Sequence, residues 1–95
     1  SNDRGFCMVS LRSRALNEPI RITSKRHGYF PKSFTWRGKR HAVEAVEQCW
    51  TVSQPRWSGE AKRHCFRLRT EKVRFVVYQD LQRDQWFLER ILRRN

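Results

Sequence analysis

The chain is poor in the patterns that mark most enzymes and most membrane proteins. Its three cysteines, Cys7, Cys49 and Cys65, show no C-x-x-C spacing, which argues against a disulfide framework and against a zinc finger. They read as reduced, small apolar residues of a cytoplasmic protein. No apolar run reaches membrane-spanning length and no signal-peptide pattern opens the chain, so no membrane partner is expected. A Gly-rich phosphate loop, metal-spaced ligands and a paired-carboxylate motif are all missing. There is no βαβ alternation, heptad, internal repeat or low-complexity run. The chain does not begin with Met; Ser1-Asn2 reads as a cloning remnant and the whole as a domain cut from a longer protein.

Acidic residues are scarce as well. Nine Asp and Glu face 21 Lys and Arg, giving a net charge of +12 and a pI near 11.0. Self-repulsion of that size costs stability unless a polyanion is the usual neighbour. Sixteen of the cations are Arg, whose planar fork matches phosphate and stacks on bases. Nucleic acid is therefore the first partner to consider. The alternative is a merely basic domain inside a larger protein whose other parts are acidic. Twelve aromatic residues separate the chain from a disordered basic tail and supply the largest units of apolar area for a small core. At 95 residues one domain is expected, burying roughly 60–65% of its unfolded surface.

The organising stretch is 34–43. Phe34 and Trp36, two residues apart, fall on one side of an extended strand. Arg37-Gly38 supplies a tight turn, and Lys39-Arg40-His41-Ala42-Val43 leads back. The hairpin puts an apolar pair on one face and Arg37, Lys39 and Arg40 around its tip.

Residues 1–18 are weakly patterned, a mobile lead-in or an added edge strand. Residues 19–95 form the single small β domain. Pro19 to Thr23 alternates, with Ile20 and Ile22 inward. Residues 24–33 read as a basic loop in which Tyr29 and Phe30 either stack bases or cap a barrel end. Residues 42–52 carry a helical period in Ala42, Val43, Val46, Cys49 and Trp50. The β-rich ending and missing caps favour a strand whose phase switches at a bulge between Val43 and Val46. Residues 53–63 have no period and read as a loop, in which Trp57 beside Arg56 is a stacking platform or a lid folded over the core.

The last third alternates most cleanly. Phe66 and Leu68 point inward, Arg67 and Arg69 outward. Glu71-Lys72 turns the chain into 73–78, where Arg74 extends the outer cationic patch, and 86–92 closes the sheet. These elements predict a mainly β fold, a small antiparallel meander of five to six strands curled into a partly open barrel.

The order Phe34-x-Trp36-Arg37-Gly38, Val43-x-x-Val46-x-x-x-Trp50, Trp57, Arg63-x-x-x-Arg67, Tyr78-x-Asp80 and Trp86-x-Leu88 resembles a small bacterial family of domains of unknown function. The resemblance covers about residues 19 to 92. It implies a DNA-repair or replication setting, because some members occur with proteins similar to Y-family DNA polymerases of damage-tolerance systems. It brings no established activity and no cofactor. Two positions depart from the pattern: His41 stands where Tyr is expected, and Trp57 stands alone where two adjacent Trp are common.

Catalysis is not expected. His64 and Cys65 are adjacent and point to opposite faces of a strand, and Glu44, Glu47, Asp80, Asp84 and Glu89 are scattered. Two readings remain. One is a largely sequence-independent nucleic-acid module, DNA before RNA, using Arg37, Lys39, Arg40, Arg67, Arg69 and Arg74 on phosphates and Trp57 on bases. The other is an adaptor that brings a polymerase-like or repair protein to an acidic partner surface.

Overall fold

The computed structural model describes residues 15–56 and 59–93, without the side chains of 54–56 and 59–61. Seven antiparallel strands make one curled sheet: β1 (Glu18–Arg26), β2 (Phe30–Trp36), β3 (Lys39–Ala42), β4 (Ala45–Arg56), β5 (Gly59–Arg69), β6 (Val73–Asp80) and β7 (Gln85–Arg93). The spatial order is β3-β2-β1-β7-β6-β5-β4, and no helix occurs among the described residues. The meander and the partly open barrel are as the sequence predicts, with one strand more than expected.

The topology dictates the curl. β3 and β4 are consecutive in sequence yet lie at opposite edges of the sheet. In a flat sheet those edges would be about 28 Å apart, six strand spacings. The three steps from Ala42 to Ala45 reach roughly 10 Å at most. The sheet must therefore roll until its edges meet, and the link is tied to both sides: Val43 N–H donates to Lys32 O at 2.9 Å and Glu44 N–H to Arg69 O at 2.8 Å. Register shifts in β1, in β4 between Val46 and Gln48, and between Val76 and Val77 sharpen the bend.

The rolled face is filled by Phe34, Phe66, Leu68, Phe75, Val77, Trp86 and Leu88, with Ile20, Ile22, Phe30, Trp36, Val43 and Val46 packed against them. Phe34 meets Phe75 edge-on at 5.2 Å, and Tyr29 does the same to Phe66 at 5.6 Å. Tyr29 packs on the core at the β1–β2 turn while staying 41% exposed. At the β2–β3 turn Arg37 and Gly38 both take positive φ, 52° and 76°. This is the geometry that matches the strands' own twist, and Gly adopts it without a Cβ penalty.

Three expectations shift. The stretch 24–33 is mostly strand, because Ser24, Lys25 and Arg26 pair with Ser33, Pro31 and Phe30. The loop expected over 53–63 is instead the long end of the β4–β5 hairpin, paired as far as Arg56 and Gly59. The backbone pairing of those two arms needs no apolar period in the sequence; Pro55 is tolerated because β4 is an edge strand. Residues 45–56 are indeed a bulged strand, but the extra residue is Glu47. Val46 therefore faces the core, while Trp50, opposite Cys65, lies on the outer face.

Candidate nucleic-acid interface

The outward arginines of the last third do gather in one place. Arg69 and Arg74 are directly opposite each other in the β5–β6 pair, and Arg67 is two residues along β5 on the same face. Like charges opposed across strands are destabilising. The side chain of the bulge residue Glu47 enters this group. Its Oε1 accepts from Arg74 Nε at 2.7 Å and lies 3.2 Å from Arg67 Nε, while Oε2 is 3.7 Å from an Arg69 terminal nitrogen. Glu44 adds a second contact, 3.6 Å from Arg69 Nε. The Arg74 hydrogen bond, followed by the charges of Arg74, Arg67 and Arg69, holds the Glu47 carboxyl below the usual carboxylate range. Three guanidinium groups thus share two carboxylates. The Arg side chains stay 34–39% exposed, against 16% for Glu47, so the guanidinium side chains reach solvent more than the carboxylate they share.

The three cations of the hairpin tip part company. Arg37 lies over the Trp36 ring, 4.7 Å from its centroid, and donates to both oxygens of Glu18 at 2.9 and 2.6 Å. Trp36 Nε1–H donates to the same carboxylate at 2.9 Å. The Arg37 hydrogen bonds, then that of Trp36, lower the Glu18 pKa, and Glu18 in turn raises that of Arg37. Arg37 latches the turn to the start of β1. Lys39 pairs with Trp36 in register, on the side of His41. Arg40 is exposed on the outer face, opposite Thr35, which is itself opposite Arg21. Among the described residues neither Arg40 nor Arg21 has a carboxylate within 4 Å. Trp57 lies outside the described residues.

The β3–β4 link brings Arg40 toward the arginine group. Four steps separate it from Glu44, a reach of roughly 14 Å at most, and the Glu44 amide is bonded to the Arg69 carbonyl. From β1 to β3 the chain carries seven Lys and Arg against Glu18 as its one carboxylate. Sequence reasoning missed Glu18, Glu47 and Arg21. Glu47 was recoverable in principle, since a carboxylate at a bulge must leave the strand's regular phase.

Three other reactive side chains, His41, His64 and Cys65, are engaged within the fold. His41 stacks on Phe34 at 5.2 Å and meets Phe75 at 5.0 Å; burial first, then the Lys39 charge, lowers its pKa. His64 Nδ1 is 3.1 Å from Thr51 Oγ1. Cys65, on the opposite face, is buried, and its thiol is pushed up to about 11. No helix among the described residues is long and apolar enough to cross a membrane.

Fold and surface together define a small all-β domain, a half-open barrel with an arginine-rich exterior. The chain belongs to the family described as a domain of unknown function, DUF6504, which matches residues 8–93. No curated protein and no solved structure matches it.

Proposed function

We propose that this domain is a sequence-independent nucleic-acid-binding module that grips the phosphates of DNA through Arg67, Arg69 and Arg74, with Arg40 and Arg21 extending the contact. The observation that carries this reading is the Glu47-centred group, where three half-exposed guanidinium groups are held together with more positive than negative charge. A shared carboxylate limits their mutual repulsion and their rotamer freedom before any ligand arrives. Phosphate oxygens then meet N–H donors already in place, which lowers the ordering cost of binding. Arg37 belongs to the fold, since Glu18 engages it. Among the described residues there is no recognition helix to read base edges, and contacts made by the arginine group alone carry little sequence discrimination.

The test is fluorescence anisotropy with single- and double-stranded oligonucleotides across a salt series. About four phosphate contacts give a slope of log affinity on log salt of roughly −3 to −4. A flat response, or no binding at low salt, sinks the reading. A cytoplasmic bacterial DNA-repair or replication setting suits such a module. Failure would leave the second reading, an adaptor for a polymerase-like or repair protein, which the groove described next favours.

A further inference from the structure

β4 is the long edge of the sheet. It runs for twelve residues and, among the described residues, pairs only with β5; the other edge, β3, has four. Proteins ordinarily shorten, charge, bulge or cover such edges, because an unpaired row of N–H and C=O groups invites another strand. The Glu47 bulge protects only the start of β4, since the register is unbroken from Gln48 to Arg56. Beside the first half of the strand lies a groove of about 490 Å³, with residues 44–49 on one wall and Arg26, His27 and Phe30 on the other. Glu44 and Glu47 are engaged by Arg67, Arg69 and Arg74. Arg26 and His27 are exposed, with no carboxylate within 4 Å among the described residues. Phe30, packed edge-on against Phe66, supplies apolar surface between them.

We propose that this groove takes an extended acidic peptide of a partner protein, which joins the sheet as a strand along the free edge of β4. The backbone ladder gives affinity, and alternate carboxylate side chains facing Arg26 and His27 give specificity. Charge selects this occupant over a second copy of the chain, because each copy carries +12 and two would repel. A nucleic-acid backbone has no amides with which to continue the ladder. The groove shares Glu44 and Glu47 with the arginine group but takes its own cations, Arg26 and His27, from the opposite wall, and the proposal does not rest on the nucleic-acid reading.

The experiment titrates the isotope-labelled full chain with an acetylated octapeptide alternating Glu with Val and Thr. Two isomers N-methylated on one or the other alternate set of amides are titrated in parallel. Only every second peptide amide faces β4, so one isomer keeps the parent affinity and the other loses at least tenfold. Hydrogen exchange slows at residues 48–52, and Arg26→Glu weakens binding several-fold. Equal affinity of the three peptides overturns the proposal. So does exchange protection elsewhere, absence of binding at millimolar peptide, sedimentation as a dimer through the same edge, or protection of those amides by an oligonucleotide instead.

Discussion

Glu47 and Arg74, 27 residues apart in sequence, form the shortest contact of the outer charge group, Nε–H to Oε1 at 2.7 Å. Beside that bond Arg67 and Arg69 complete a ring of cations around a carboxylate that their own charges keep ionised. The carboxylate gathers the three guanidinium groups but also offsets part of their charge, and this sets the first expectation. Glu47→Gln keeps the shape and removes the counter-charge. The melting temperature falls, since three guanidinium groups then repel. Affinity for an oligonucleotide at low salt rises, and the salt slope steepens by up to about 0.9. A parallel melt and anisotropy titration reads both; loss of stability and of affinity together would make Glu47 a structural support alone.

Arg67→Ala with Arg69→Ala should weaken oligonucleotide binding while changing stability by only about 0.5 kcal/mol per site, as is usual for partly exposed positions. Phe34→Ala, at a fully buried position between His41 and Phe75, should cost about 3–5 kcal/mol. Urea melts separate the two; equal losses would mean that the outer arginines carry the fold.

His41 gives a pH dependence whose sign is fixed. Among the described residues its Nε2 is buried without a hydrogen-bond partner, and burial lowers its pKa from the ordinary 6.5. The unfolded chain therefore takes up a proton before the folded one does. Stability is full above about pH 6.5 and is lost as pH falls through that value toward the folded-state pKa. Melting temperatures between pH 8 and pH 5 should show this loss, and His41→Phe should flatten it in that window.

Gly38→Ala meets no atom within 4 Å but must keep φ near +76°. A Cβ there costs about 1–2 kcal/mol through the backbone alone. Gly38→Asn, which tolerates the left-handed region, should cost less, and thermal melts of the two variants check the order.

The sequence by itself determined whatever depends on neighbours a few residues apart. Alternation of Phe66 and Leu68 with Arg67 and Arg69 sets inside and outside, because successive side chains of a strand point to opposite faces. Arg37-Gly38 makes the turn, because the local φ requirement selects it. The switch of phase in 42–52 called for a bulge. Tertiary structure alone decided what depends on register between distant strands: that the extra residue is Glu47, that its carboxylate reaches Arg74, and that Arg37 is held by Glu18 from another strand. Charge and period say that a side chain points outward. Only the roll of the sheet, forced by the short β3–β4 link, says what it meets there.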